Sequence, residues 1–147
     1  VYSVGDYKYI IVPIISLVLC QIIKFIIESF RTKKLVWGRL FNGSGGMPSS
    51  HTSISVSLTA TLGLNLGVDD PMFALSLIFS LVTAYDAMGL RFESGKQAEA
   101  INMLLDEVFE KEGFKHLKEQ LGHKPLEVLM GIIFGIFIAL FFNCVIF

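Results

Sequence analysis

The sequence contains four apolar stretches, each long enough to cross a lipid bilayer as a helix. They cover about residues 9–29, 48–66, 71–90 and 125–147. A bilayer core about 30 Å thick requires about 20 helical residues, and a run of 18 or more is typical of a transmembrane helix. Of the 147 residues, 53% are hydrophobic and 17% are charged, which is unlike an ordinary soluble domain. We therefore predict an all-α integral membrane protein, folded as a helical bundle in a single domain over residues 1–147.

Basic residues predict the orientation of this bundle. The first and third connections between the stretches hold ten of the twelve Lys and Arg residues, whereas the second carries only Asp69 and Asp70 as charged residues. Because lysine and arginine concentrate in cytoplasmic loops, this pattern places the first and third connections in the cytoplasm and both termini outside. The first stretch is longer than a signal-peptide core and follows no basic leader, so we expect it to be retained as a span.

The long third connection has a helical pattern of its own. Ala98, Ile101, Leu105 and Val108 recur at helical spacing and predict an amphipathic helix over about residues 96–112. Its polar face is acidic, unlike the basic faces of helices that bind anionic lipid. We therefore expect this helix to pack on its own protein or on a partner subunit, and a homodimer is one hypothesis for that partner.

Charge and cysteine content exclude two further classes of protein. The formal net charge is −1, so bulk electrostatic attraction to nucleic acid is excluded. Cys20 and Cys144 are the two cysteines, and both lie in apolar runs. Two such residues do not make a disulfide framework, and we interpret them as small hydrophobic side chains. The expected partners are membrane lipids rather than nucleic acid.

A glycine- and serine-rich segment precedes the second apolar stretch. Residues 43–53 read GSGGMPSSHTS. Pro48 suits the first position of a helix, which would leave the backbone N–H groups of Ser49, Ser50 and His51 unpaired. A helix start of this kind attracts anions, and the imidazole can protonate a bound oxygen. A flexible lead-in to the span, with the histidine at the membrane interface, explains the composition equally well.

A second histidine opens the last apolar stretch. His123 and Glu127 are four residues apart, on either side of Pro125. A carboxylate at that spacing can accept the Nδ1 proton of an imidazole and leave Nε2 as a nucleophile or base. Alternatively, the proline starts a helix and Glu127 is a first-turn acid that interacts favourably with the helix dipole. The predicted topology puts His51 and His123 on the same membrane face.

Five charged residues lie within the spans or close to their ends. Asp86 near the end of the third stretch is costly in a membrane, and therefore either marks a functional site or pairs with a base nearby. Arg91 and Lys96 lie on the same face and can grip a phosphate, although basic residues that flank a span explain Arg91 as well. Lys24 and Glu28 are four residues apart, and we expect them to neutralise each other as structural residues.

Three motifs in order carry a resemblance to a known superfamily. The segments GGMPSSHTS, YDAMGLRFESGKQA and LKEQLGHKPLEVLMG resemble the divergent branch of the type 2 phosphatidic acid phosphatase superfamily, which includes the vanadium-dependent haloperoxidases. The similarity covers nearly all of the chain from about Lys33 onward. It implies a membrane-bound phosphatase that hydrolyses a lipid or isoprenoid phosphate, or diphosphate, with no metal and no other cofactor.

The resemblance also implies roles for individual residues. His123 corresponds to the nucleophile that forms a phosphohistidine, Glu127 to the acid that orients it, and His51 to the general acid for the leaving alcohol. Asp86 is a further candidate without a corresponding role. The residues implied or left for phosphate binding are Lys33, Arg39, Ser49, Ser50, Arg91 and Lys96.

The chain departs from the superfamily pattern in several places. Lys33 and Arg39 are one residue closer than usual, and Leu40 replaces the proline that follows the arginine. Leu117 stands six residues before His123, where the superfamily has a phosphate-binding arginine. Arg91, Lys96 or Lys118 must then supply that charge. Four spans and one amphipathic helix are also fewer than the usual six-helix core.

Two other functions remain open at this stage. A catalytically inactive lipid-phosphate-binding protein or membrane scaffold would account for Leu117. A metal-dependent hydrolase would use His51, His123, Asp86 and His116, although no compact two-histidine motif supports it. A haloperoxidase is disfavoured because the predicted site is intracellular and embedded at the membrane.

Overall fold

The computed structural model describes residues 7–33, 35, 46–108, 117, 119 and 122–146. These residues form five helices: α1 (Lys8–Thr32), α2 (Ser50–Leu66), α3 (Pro71–Met88), α4 (Leu90–Val108) and α5 (Pro125–Val145). No strand occurs in this part of the chain. The predicted all-α class is confirmed.

Within the described residues, three segments are long and apolar enough to cross a membrane, and they confirm the predicted membrane bundle. They are α1, α5 and the stretch Pro71–Leu105, which contains α3 and most of α4. The fourth predicted span, residues 48–66, corresponds to α2, which has 17 residues and carries many hydroxyl side chains. Crossing of the membrane by α2 therefore stays a prediction.

The helix α2 is the central element, since it contacts α1, α3 and α5. Hydroxyl groups make several of these contacts: Ser53 bonds Ser16 of α1 at 2.7 Å. Thr59 bonds Ser76 and Ser80 of α3 at 2.7 and 2.9 Å. Small polar side chains let helices approach closely, and their hydroxyls bond each other or the helix backbone. The buried hydroxyl residues of α2 are Ser50, Thr52, Ser53, Ser55, Ser57, Thr59 and Thr61.

Two glycines hold α5 against α2. A Cβ atom at Gly131 would lie 2.7 Å from the carbonyl oxygen of Ser49, and one at Gly135 would lie 2.7 Å from that of Ser53. Glycines four residues apart thus form a flat surface that admits the neighbouring backbone. The same approach brings the two helix starts together, because the Ser49 N–H donates to the Glu127 C=O at 3.0 Å.

The end of α3 and the start of α4 complete this end of the bundle. The chain turns at Gly89, and α4 begins at the next residue, before the predicted start near residue 96. The predicted end of that helix, residues 109–112, lies outside the described residues. Gly122 packs on the backbone of Phe92 with no room for a Cβ atom. The segment before α5 is therefore held beside the first turn of α4.

Candidate functional site

His123 lies where these helix ends meet. It precedes α5 by two residues, and its backbone N–H donates to the Ala87 C=O of α3 at 2.9 Å. The side chain is only 2% exposed, and within the described part of the chain neither Nδ1 nor Nε2 has a hydrogen-bond partner. Buried polar atoms in native proteins are nearly always hydrogen-bonded, so two orphaned ring nitrogens indicate a functional group.

Positive charges from three helices act on this imidazole. Burial, followed in order by the charges of Lys24, His51 and Arg91, lowers the pKa of His123 from 6.5 to about 4. These three residues belong to α1, α2 and α4. The imidazole is therefore neutral at pH 7, and a neutral ring nitrogen has the lone pair that nucleophilic attack requires.

Lys24 is the site residue that the sequence interpretation missed. It is 3% exposed on α1, and its Nζ donates to the Ser50 Oγ at 3.2 Å. This contact differs from the structural pairing with Glu28 that their spacing predicted, and Glu28 lines a polar cavity. The signal that could have found it is the stripe of buried residues at every fourth position of α1, which are Val12, Ser16, Cys20 and Lys24.

The start of α2 differs from the predicted anion site in two respects. Ser49 is the N-cap, with its Oγ accepting from the Thr52 N–H at 3.4 Å, so Pro48 precedes the helix instead of opening it. The Ser49 N–H is also engaged, since the packing of α5 brings the Glu127 C=O to it. The anion site is therefore reduced to the first N–H groups of α2, and the adjacent His51 is exposed.

Glu127 does not hold the His123 ring in this structure. Its Oε2 accepts from the Lys124 N–H at 3.2 Å and completes a capping box. The physical reason is the helix start: Pro125 is its first residue, so His123 lies outside the helix and the four-residue spacing does not align the two side chains. The geometry agrees with the alternative interpretation of Glu127 as a first-turn acid.

Asp86 and Arg91 form an ion pair. The Arg91 Nε lies 2.6 Å from the Asp86 Oδ2, with 43% and 36% of the side chains exposed. Asp86 thus has the basic partner that one interpretation predicted, and it anchors Arg91, one of the cations that act on His123. Such an anchored guanidinium retains two NH₂ groups for bidentate contact with an anion.

The other predicted phosphate-binding residues are less directly placed. Lys96 pairs with Glu93 at 2.9 Å and lines the polar cavity. Lys33 is exposed and is the C-cap residue that follows α1, and within the described residues no hydrogen bond or ion pair links it to the site. Arg39 and Lys118 lie outside the described residues. Leu117 is 48% exposed, and its N–H donates to the Asn102 Oδ1 at 2.8 Å.

Two cavities of opposite character flank His123. The neighbouring residues Gly122 and Lys124 line a polar cavity of about 550 Å³. Pro125 lines an apolar groove of about 660 Å³ between α3 and α5. A second apolar cavity, of about 310 Å³, shares the lining residues Leu81, Ala84 and Ile132 with that groove. The site therefore has a polar side and an apolar side.

A metal site was the alternative interpretation of the same histidines. Among the side chains that the structure describes, no group of three His, Cys, Asp or Glu residues is arranged to hold a metal ion. His116, which that interpretation included, lies outside the described residues.

Comparisons with known proteins bear on the resemblance found in the motifs. The model of the Divergent PAP2 family matches residues 6–138. A relative from Bacillus subtilis (strain 168), named Uncharacterized membrane protein YuiD, is 38% identical over 138 residues, which cover 85% of this chain and 87% of that protein. No solved structure matches the chain. The predicted family is confirmed, and the chain belongs to the Divergent PAP2 family of membrane proteins.

Proposed function

We propose that the protein is a membrane phosphatase that hydrolyses a lipid or isoprenoid phosphate through a phosphohistidine on His123. The observation that carries this proposal is His123 itself, a buried imidazole whose two ring nitrogens have no hydrogen-bond partner among the described residues and whose pKa is lowered by burial and by positive charges. A structural histidine in a bundle core would satisfy its nitrogens with hydrogen bonds. An imidazole kept neutral among cations suits attack on an anionic phosphate.

The first step transfers the phosphoryl group to the protein. A ring nitrogen of His123 donates its lone pair to phosphorus, and the bond from phosphorus to the leaving alcohol oxygen breaks. Protonated His51 gives its proton to that oxygen, so the products are phosphohistidine and a neutral alcohol. Arg91, anchored by Asp86, neutralises charge on the equatorial oxygens.

The second step returns the protein to its starting state. His51, now neutral, takes a proton from a water molecule while that water attacks the phosphohistidine. The nitrogen–phosphorus bond breaks and inorganic phosphate leaves. His123 is again neutral and His51 is again protonated, so the protons and charges of the cycle are accounted for by the two histidines, the substrate and water.

The apolar groove supports a substrate with a hydrocarbon chain. It begins at Pro125, two residues after His123, and runs between α3 and α5 past Leu129 and Ile132. A phosphate at His123 would leave the attached chain beside this surface, which can replace the lipid tails that surround the chain in the bilayer. We assign the groove to one hydrocarbon chain of the substrate.

We place the site on the cytoplasmic side of the membrane. The support is the distribution of charge, since ten of the twelve Lys and Arg residues lie in the two connections on the side of His51 and His123. A cysteine introduced at the exposed Glu99 of α4 would test this in sealed cells, with Cys144→Ser removing the exposed native thiol. Labelling by a membrane-impermeant reagent only after permeabilisation would support the assignment, and labelling in intact cells would contradict it.

The deciding experiment is phosphate release by the purified protein from phosphatidic acid, isoprenoid monophosphate and isoprenoid diphosphate. We expect His123→Ala to reduce release by at least about 10³-fold and His51→Ala by about 10²–10⁴-fold. Lys8→Met, which changes a charged residue that contacts Asn65 at the other end of the bundle, is the control and should change release less than twofold. A parent that releases no phosphate from any of the three, or an unaffected His123→Ala, contradicts the proposal.

A catalytically inactive phosphate-binding protein is the second candidate, and Leu117 is the observation that favours it. This residue is tied to α4 by both its N–H and its C=O, which bond the Asn102 side chain at 2.8 and 2.9 Å. It therefore serves structure at a position where the superfamily has a cation. Saturable phosphate binding without release would favour this candidate.

A further inference from the structure

The buried cation Lys24 is not explained by the catalytic steps above. It lies within a helix long and apolar enough to cross the membrane, and its side chain is 3% exposed. Removing an ammonium group from water is expensive, and ionisable residues inside membrane segments are usually functional. A buried ammonium group within such a helix is therefore a candidate functional group.

The contacts of α1 show where the ammonium group of Lys24 lies. Along its inner face, Ser16 bonds Ser53, the Cys20 Sγ donates to the Pro48 C=O at 3.4 Å, and Lys24 donates to Ser50. Successive turns of α1 thus approach the start of α2, and the lysine reaches the first residue of that helix. The first backbone N–H groups of a helix and its dipole attract anions at the same place.

A third observation independently points to a ligand there. The ring of His123 is buried and its nitrogens have no partner among the described residues. Lys24 is the charge that acts most strongly on that ring. A buried ammonium group, a helix start and an unpartnered imidazole thus converge from α1, α2 and the segment before α5.

We propose that Lys24 is a phosphate-binding residue, whose ammonium group and the Ser50 hydroxyl together hold an oxygen of the phosphoryl group that His123 attacks. This inference rests on the proposed function and deepens it, because it names the cation that compensates for Leu117. The charge comes from the first helix, inside the bundle, instead of from the segment before α5.

The chemistry of lysine suits this position. An ammonium group has three N–H donors, so it can bond Ser50 and a phosphoryl oxygen at the same time. It forms no covalent bond in either step and contributes charge and position only. Before substrate binds, the same charge keeps His123 unprotonated; when a dianionic phosphate binds, it is neutralised in place.

The test compares Lys24→Met and Lys24→Arg with the parent and with Lys8→Met. Lys8 lies on the same helix at the opposite end of the bundle, where its side chain contacts Asn65, so it is the matched control. Binding of inorganic phosphate to the purified protein in detergent is measured by calorimetry, and KM and kcat are measured separately. We expect Lys24→Met to weaken phosphate binding by about tenfold or more and to raise KM. Lys24→Arg should restore part of the affinity, and Lys8→Met should change neither quantity.

Folding of the variant is monitored by its melting temperature. Replacing a buried charge by an apolar side chain of similar length is expected to leave that temperature unchanged or raised. A lower phosphate affinity together with an undiminished melting temperature separates a binding role from a structural role.

The outcomes distinguish the two proposals. Phosphate binding that depends on Lys24, with no hydrolysis, supports this inference and contradicts the proposed function. Hydrolysis with unchanged phosphate affinity and KM in Lys24→Met overturns the inference and leaves the proposed function intact. A parent that neither binds phosphate nor releases it overturns both.

Discussion

The two ends of the bundle use polar side chains in opposite ways. At the end away from the site, Asn65 donates to Asn143 at 2.7 Å, and Asn143 donates to Thr61 at 3.2 Å. Lys8 contacts the same network through Asn65. At the other end, His123 is more deeply buried and its ring nitrogens have no partner in the described chain. A closed network of this kind stabilises a fold, whereas open hydrogen-bonding capacity is characteristic of a site.

Substitution of His123 is the most direct test of this difference between the two ends, and we expect it to have the largest effect. The variant His123→Ala should lose at least about 10³-fold in phosphate release, because the attacking nitrogen is gone. Its melting temperature should fall little, since the lost packing is offset by removing two buried nitrogens that have no partner among the described residues. Release assays and thermal unfolding on the same preparation check this, and a variant that is equally active but much less stable would make His123 a structural residue.

At the opposite end we expect the reverse pattern. The variant Asn143→Leu removes the amide that joins Asn65 and Thr61, and leaves their polar groups without these bonds. Hydrogen bonds of this kind contribute about 1–2 kcal/mol, so the free energy of unfolding should fall by that amount. Phosphate release, measured well below the melting temperature, should remain within about twofold of the parent. The adjacent Cys144→Ala is the control, and a large loss of activity in Asn143→Leu alone would contradict the division between the two ends.

A substitution in the apolar groove tests whether the substrate-binding site extends from His123 along α3 and α5. Leu81 lines both the apolar groove and the second apolar cavity. The larger side chain of Leu81→Trp should fill part of this space, and we expect release from a long-chain substrate to fall about tenfold. A short-chain, water-soluble phosphate should be hydrolysed as before, because it does not reach this part of the groove. Phe79→Trp, on the same helix and 61% exposed, is the control. An equal loss on both substrates would mean that the substitution disturbs the fold instead of the chain site.

The sequence predicts the first, third and fifth helices well, because apolar runs of span length have few alternatives. It also predicts that His51 and His123 share one end of the bundle, because loop charges and helix order determine sidedness. The spacing of residues along the sequence does not predict side-chain contacts that depend on the packing of a neighbouring helix or on where a helix begins. Glu127 caps its own helix because Pro125 starts it, and Lys24 contacts Ser50 because α1 packs on α2.

The same limit applies at the start of α2. Both Pro48 and Ser49 suit the beginning of a helix, and the sequence does not choose between them. The choice follows from α5, since the close approach at Gly131 brings the Glu127 C=O to the Ser49 N–H. Packing between helices thus removed one of the three donors of the predicted anion site.

The smallest expected effect is a shift in pH dependence that distinguishes the two lysines. As pH falls through about 4, His123 becomes protonated and loses its lone pair, so kcat/KM should fall with a midpoint near that value. Lys24 lowers the pKa of His123 by charge repulsion, and replacing it by Met removes a cation that disfavours the protonated ring. The midpoint should therefore move upward in Lys24→Met, remain near 4 in Lys24→Arg and be unchanged in Lys8→Met. Ionisation of the substrate affects all four proteins equally, so the ratio of variant to parent isolates the imidazole. An unchanged or lower midpoint in Lys24→Met would show that its charge does not act on His123, and the two ends of the bundle would then differ in hydrogen bonding alone.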